Sequence, residues 1–284
     1  IYNGEVYNFK ELRQQLEQLG HTFRSHSDTE VMLAAFVQWG PGSSLVRFNG
    51  MFAFAAWDRR DRLLWLARDR IGEKPLYYGV QNGTLFFASE LKAIRANPKF
   101  KPEIDRNSLA SFLRFSYVPA PHCIYKGIKK LLPGHLLCLK SSIKMTEPQP
   151  YWSLEKVMSH GSKNSFSGTK EEATDELEDR IKKTVKSRMV SDVPLGAFLS
   201  GGIDSSTIVS LMQSQSDQPI NTFTIGFHEK EFNEAVYAKK VAEHLDTNHT
   251  ELYVTPQEAM DLIPKLPEMY DEPFADSSQI PTHL

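Results

Sequence analysis

The stretch Leu195-Gly196-Ala197-Phe198-Leu199-Ser200-Gly201-Gly202-Ile203-Asp204-Ser205-Ser206 carries the reading of the fold. Leu195 to Leu199 is a short apolar strand. It runs directly into a glycine loop, Ser200 to Asp204, and Ser205 to Gln213 then reads as a helix. Glycines let backbone approach a ligand closely. Backbone N–H groups and the hydroxyls of Ser200, Ser205 and Ser206 point at one anion, and the helix N-terminus adds partial positive charge. Phosphate or pyrophosphate suits that chemistry. No Lys follows the glycines, so the loop is not of the Walker type, and it lacks G-x-G-x-x-G spacing. Asp204 would repel a phosphate unless a cation stands between them, which implies Mg²⁺ at Asp204.

Downstream, Asn221 to Phe227 reads as a strand, Asn233 to Leu245 as a helix with Val236, Val241 and Leu245 inward, and His249 to Val254 as a further strand. Upstream, Thr169-Lys170-Glu171-Glu172 fits a capping box. Ala173, Leu177, Ile181 and Val185 then recur every four residues along a helix of about five turns. This strand–helix alternation predicts a parallel sheet with helices on both faces. Between Gln149 and Gly168 the chain is polar and broken by Pro148 and Pro150, so residues 151–168 read as a linker.

The first 150 residues have a different texture. Asn8 to Leu19 and His26 to Trp39 show helical spacing, and Ser27 with Glu30 fits a capping box. Short strands follow at Met51 to Trp57, Arg62 to Ala67, Pro75 to Val80 and Thr84 to Ser89, with Asn82-Gly83 as a hairpin turn. Two more, Ile124 to Leu132 and His135 to Leu139, flank Pro133-Gly134. The expectation is an α+β region rich in antiparallel hairpins.

Composition narrows the classes. Lys plus Arg is 33 and Asp plus Glu is 35, a net charge of −2, which gives no support for bulk electrostatic binding to nucleic acid or anionic membrane. No apolar run approaches the ~18 residues of a membrane span. Cys123 and Cys138 are too few for a disulfide scaffold or a four-thiolate zinc site. The chain therefore reads as cytoplasmic, with Cys138 a small hydrophobe in a strand and Cys123 incidental in a Pro/His loop. Lys126, Lys129 and Lys130 flank a turn and are expected on the surface. The start at Ile1 inside a strand-like run, and the stop after Gln279 to Leu284, read as a fragment.

The stretch Leu199 to Ser206 resembles the PP-loop of ATP-pyrophosphatases. Further motifs follow in order: Thr224-Ile225-Gly226-Phe227, Glu231-Phe232-Asn233-Glu234 with Ala238, and Asp271-Glu272-Pro273-Phe274-Ala275-Asp276-Ser277-Ser278. That order is similar to the synthetase half of glutamine-hydrolysing asparagine synthetases. The first region resembles the other half, a class II glutamine amidotransferase. Asn3-Gly4-Glu5-Val6-Tyr7-Asn8 and Ser27-Asp28-Thr29-Glu30 match its signatures, as do Asn49 to Phe54, Ala67 to Gly72, Lys74 to Tyr78 and Phe87 to Glu90. Alone, Asn3-Gly4 also fits a plain turn and Asp28 a helix-capping carboxylate.

The resemblance implies an N-terminal-nucleophile amidohydrolase fold for residues 1–150, antiparallel sheets between helices. It implies an α/β ATP-pyrophosphatase domain for residues 169–284, with both domains incomplete. It implies glutamine and aspartate as substrates, with ATP and Mg²⁺. Asn3 and Gly4 would stabilise the oxyanion of glutamine hydrolysis. Glu5 and Asp28, with Asn3, would bind glutamine. Leu199, Ser200, Gly201, Gly202, Asp204, Ser205, Ser206 and Ile225 would hold ATP and pyrophosphate, Asp204 through the metal, and Asp276, Ser277 and Ser278 would border the acceptor pocket. Aspartate would become asparagine through an acyl-adenylate. The family's nucleophile is an N-terminal cysteine, which neither Cys123 nor Cys138 matches, and an arginine for the glutamine carboxylate is also unmatched. Both are expected upstream of Ile1. A later Ser-Gly-Asp/Glu-Gly loop, with a second Mg²⁺ ligand, is expected beyond Leu284. A different carboxylate acceptor such as a sugar uronate, a non-catalytic regulatory relative, and a homodimer all stay open.

Overall fold

The computed structural model describes residues 1–140, 146–191, 193–229, 231 and 233–283. Phe232 and Leu284, named above, lie outside them. The chain divides into two compact units, Ile1–Ser165 with Pro267–Ala275, and Phe166–Leu266 with Asp276–Leu284.

In the first unit, β1 (Tyr2–Val6) leads to α1 (Phe9–Gln18), α2 (Asp28–Trp39) and α3 (Pro41–Leu45). Then come β2 (Gly50–Asp58), β3 (Leu63–Arg68), β4 (Tyr77–Gln81), β5 (Thr84–Ala88), α4 (Leu91–Arg95) and α5 (Arg106–Phe115). The unit's elements continue with β6 (Ile128–Lys130), β7 (His135–Lys140), β8 (Gln149–Pro150) and α6 (Leu154–Lys163). One antiparallel sheet has the order β1-β2-β3-β7-β8 and a second the order β5-β4-β6.

Strand alternation explains the layering. Phe52 and Phe54 of β2 face a core shared with Leu12, Leu16, Val31, Met32 and Ala35 of α1 and α2. Ala53, between them, faces the opposite way, into a core with Leu66, Leu137, Leu76 and Tyr78 that joins the two sheets. Beyond the second sheet, Phe86 packs with Leu91 and Ile94 of α4 and with Phe112 of α5. The result is helix, sheet, sheet, helix, with an apolar core at each interface.

Several local expectations change. Asn82 and Gly83 both have positive φ, as a two-residue hairpin turn requires, and β4 pairs with β5. By contrast β6 and β7, four residues apart, do not pair; each joins a different sheet because Ile128 and Leu137 serve different cores. The expected Ser27–Glu30 capping box is absent. Ser27 Oγ accepts from Thr29 N, while Glu30 accepts instead from the Ser25 hydroxyl and the N–H groups of Arg24 and Ser25. Those bonds hold the Glu30 carboxyl down to about 2. Within the stretch expected as an elementless linker stands helix α6, capped by Ser153. Leu154, Val157 and Met158 stand at helical spacing along it, yet each is at least half exposed and no residue of the helix is buried.

The second unit holds α7 (Lys170–Arg188), β9 (Gly196–Phe198), α8 (Ile203–Gln213), β10 (Asn221–Phe227), α9 (Ala235–Leu245), β11 (Asn248–Val254) and α10 (Pro256–Leu262). The capping box Thr169–Glu172 forms in full. The sheet is parallel, order β11-β10-β9. On α9 the buried positions are Ala235, Ala238 and Ala242, and Val236 points outward at 49% exposure. Small side chains win the inner face because Ala238 lies against the glycine loop at Gly201.

Candidate functional site

Asn3-Gly4 lies in strand β1, not in a turn. Alternation places Asn3 and Glu5 on one face, and Tyr2, Gly4 and Val6 on the other. Gly4 has φ +148, and a Cβ there would sit 2.0 Å from the Met51 carbonyl oxygen, so only glycine fits. Asp28, the first residue of α2, reaches back to β1. Its Oδ2 accepts from Tyr2 OH at 2.7 Å and from Val6 N at 2.9 Å, contacts that bracket Asn3–Glu5. Burial, and then the bond to Asp28, push the Tyr2 phenol far above its usual range. Among the described residues, Asp28 Oδ1 has only a long contact from the Thr29 hydroxyl, 3.3 Å. Asn3 Nδ2 donates to Ser89 Oγ at 3.1 Å. A primary amide has two N–H donors, so one stays available.

Behind this strand, Asp69 is buried at 1% exposure. Its Oδ1 accepts from the N–H groups of Ile71, Gly72 and Glu73, and its Oδ2 from those of Phe52 and Lys74. The Arg68 guanidinium, its pKa lowered by burial, donates to the carbonyls of Gly72, Lys74 and Leu131. The Ala67–Gly72 motif is thus a structural hub beneath β2.

In the second unit, Leu199 is buried, and its N–H continues the ladder to the Phe223 carbonyl at 2.8 Å. The loop that follows closes on itself. Ser205 Oγ accepts from Ser200 N at 3.2 Å and lies 3.0 Å from Ser200 Oγ, which accepts from Gly202 N. Gly201 has φ +79, and a Cβ there would meet Ala238 N and Tyr237 C at 2.7 Å. Gly202 is the N-cap of α8 and supplies no side-chain cap, in contrast to the capping boxes of α7 and α10. Ser206 Oγ is buried without a hydrogen-bond partner among the described residues. An open helix start and a hydroxyl needing a partner together fit an anion.

Asp204 stands in the first turn of α8, exposed. One carboxylate beside a phosphate site is what Mg²⁺ commonly uses, since phosphate oxygens and water complete its octahedron. The residues present fit the metal on that basis. Ile225 is on β10 beside β9; extending the register from Phe198↔Phe223 by two residues sets it level with Ser200. It is the fifth of seven strand residues. Asp276, Ser277 and Ser278 form a turn before the short helix Gln279–His283. Asp276 Oδ1 accepts from Ser278 N and Oγ, which lowers its pKa. No hydrogen bond joins these three to the glycine loop among the described residues.

Comparison with known proteins now bears on the geometry. Residues 1–152 match the family model for the glutamine amidotransferase domain. The chain belongs to that family. Residues 176–284 match the model for asparagine synthase. The chain is 36% identical over 284 residues to asparagine synthetase [glutamine-hydrolyzing] 1 of Bacillus subtilis (strain 168), covering 100% of this chain and 43% of that protein. It is 35% identical over 286 residues to putative asparagine synthetase [glutamine-hydrolyzing] 2 of Methanocaldococcus jannaschii, covering 100% and 53%. The chain thus spans about half the length of these relatives. Among solved structures, the B. subtilis glutamine phosphoribosylpyrophosphate amidotransferase complexed with ADP and GMP is similar at 12% identity and a TM-score of 0.41 (95% of this chain, 73% of that one).

As a glutamine amidotransferase domain, the first unit offers no thiolate from its own cysteines. Cys123 is buried in the core with Leu91 and Ile128, and burial, with the nearby Glu272 carboxylate, pushes its thiol up to about 12. Cys123 is core, not an incidental loop residue, because its neighbours Ile124 and Tyr125 are buried with it. Cys138 is half-buried opposite Trp65, and burial raises its pKa too. Sequence reasoning missed three residues of this domain. Tyr2 and Ser89 touch Asp28 and Asn3 only after the chain folds. Lys130, expected on the surface, is instead paired with Glu272 at 2.5 Å, the two side chains 17% and 9% exposed.

Proposed function

We propose that the full-length protein is a glutamine-dependent asparagine synthetase: it hydrolyses glutamine at the β1 site and uses the ammonia at the α8 loop to convert aspartate to asparagine, with ATP cleaved to AMP and pyrophosphate. One observation carries this reading. The loop after β9, held against α9 at Gly201, combines the uncapped start of α8 with the Ser206 hydroxyl, buried without a partner among the described residues, and these suit a pyrophosphate group.

A carboxylate is a poor electrophile. Its oxygen attacks the α-phosphorus of ATP, pyrophosphate departs with the bonding electron pair, and the acyl-adenylate formed carries AMP as a leaving group. Ammonia then adds to the acyl carbon, loses a proton and expels AMP. N–H groups at the α8 start and the hydroxyls of Ser200, Ser205 and Ser206 receive the negative charge of the departing pyrophosphate. Mg²⁺ at Asp204 would screen that charge. The backbone at Ile225 borders the adenine side. Asp276, Ser277 and Ser278 border the aspartate.

At the β1 site, thiolate attack on the glutamine amide carbon places negative charge on its oxygen. The free N–H of Asn3 Nδ2 and the Gly4 N–H are the donors assigned to it, and Asp28 with Glu5 takes the substrate ammonium. The nucleophilic thiolate comes from neither Cys123 nor Cys138.

The test is pyrophosphate release by the full-length protein given aspartate, ATP, Mg²⁺ and either glutamine or ammonia. Asp204→Ala is expected to abolish release with both nitrogen sources while glutamine hydrolysis survives. Amidation that persists in this variant overturns the metal assignment. Turnover with another carboxylate but not aspartate, a sugar uronate for instance, overturns the substrate.

A further inference from the structure

We infer that Asp271 is a positioning residue for glutamine hydrolysis: from the stretch that matches asparagine synthase, it caps α4 and through Ser89 sets the Asn3 amide. The inference deepens the function proposed above and rests on it.

Helix α4 begins without a cap of its own. Glu90 is its N-cap residue in extended conformation, and its side chain caps nothing. Leu91, the first helical residue, is fully buried, so its N–H needs a partner. Asp271 supplies it from 180 residues away. Its Oδ2 accepts from Leu91 N at 2.6 Å and its Oδ1 from Lys92 N at 3.1 Å. One carboxylate thus takes two first-turn donors and sits favourably against the helix dipole.

The surrounding contacts fix that carboxylate. Lys92 Nζ donates to the carbonyls of Glu268 and Met269. Glu272 Oε1 accepts from Ile124 N at 2.7 Å, and its Oε2 pairs with Lys130. Ala275 N donates to the Ser116 carbonyl at 2.8 Å. The segment Pro267–Ala275 belongs by its contacts to the first unit.

Ser89 lies between two constraints. On one side Ala88 is paired with Tyr77 in the β4–β5 ladder. On the other, only Glu90 separates Ser89 from the capped start of α4. Ser89 Oγ accepts from Asn3 Nδ2 at 3.1 Å, and the Asn3 side chain, exposed, makes no other hydrogen bond among the described residues. An oxyanion donor is effective only when its direction is set before the charge appears. The order of causation is Asp271, α4, Ser89, Asn3.

The test uses the full-length protein with Asp271→Ala, Asp271→Asn and Ser89→Ala. Asp271→Ala is expected to lower kcat for glutamine hydrolysis on the order of tenfold to a hundredfold, with KM within about twofold. Asp271→Asn keeps one acceptor oxygen and should recover much of the loss. The Asp271→Ala/Ser89→Ala pair should be no worse than the poorer single variant, because both act on one side chain. Amide exchange at Leu91 and Lys92 should quicken in Asp271→Ala, a readout independent of activity. Additive losses, an unchanged kcat or unchanged exchange each overturn the inference. Should Asp271→Ala fail to fold, the Asn variant and Ser89→Ala carry the same comparison. A wild-type protein with no glutaminase activity sinks the functional reading instead, and the exchange data still report whether Asp271 caps α4.

Discussion

At the scale of single residues, identity matters most where geometry admits one side chain. Gly4 and Gly201 are such places: each occupies a backbone conformation or an approach that a Cβ would block. Asn3 is a different case. Its amide is exposed, so stability does not depend on it, and its worth lies in the donor it offers. Asn3→Ala in the full-length protein should depress glutamine-dependent asparagine formation about a hundredfold, while ammonia-dependent formation holds. Equal losses with both nitrogen sources would sink the oxyanion role. Asn3, Gly4, Asp28 and the glycine loop stand out in the sequence because they sit in short contiguous motifs, and Ser89 and Ala238 lie in such motifs too. Their contacts with Asn3 and Gly201, and that of Tyr2 with Asp28, were not legible, since each depends on chain segments that meet only in the fold.

Among elements, those with strong periodicity or local capping chemistry were legible. The capping box before α7, the Asn82-Gly83 hairpin and all of β10 follow from neighbouring residues alone. Helix α4 was missed because its cap is remote: Asp271 supplies it from far along the chain. Helix α5 was missed although its signals are local, the Asp105 cap and Leu109, Phe112 and Leu113 at helical spacing. The turn after β3 shows how one side chain can hold several elements. Asp69, itself buried, gathers five backbone N–H groups, that of buried Phe52 among them. Asp69→Ala should lower stability by about 3 kcal/mol, read from the denaturant midpoint. A loss below about 1 kcal/mol would mean that water satisfies those donors in its place.

For the whole molecule, the order of the chain is not the order of its compact units. The chain leaves the first unit at Ser165 and contributes Pro267–Ala275 to it again a hundred residues on. The Lys130–Glu272 pair anchors that return. Removing one partner of a mostly buried pair strands the other, so Glu272→Ala should destabilise by about 3–5 kcal/mol. The double replacement Lys130→Met/Glu272→Leu should recover only part of that loss: no charge is left unpaired, but the buried Ile124 N–H loses its acceptor. Unfolding followed by the fluorescence of Trp39, Trp57 and Trp65 reports on the first unit. Damage confined to the second unit would overturn the account. The sequence by itself determined the alternation of strand and helix, the loop chemistry suited to pyrophosphate and the motif order that marks the family, because these depend on residues within a few positions of one another. The tertiary structure alone decided that Asp271 and Glu272, read as part of the second half, serve the first. A buried N–H or ammonium accepts whichever carboxylate the packed chain brings to it, at any distance in sequence.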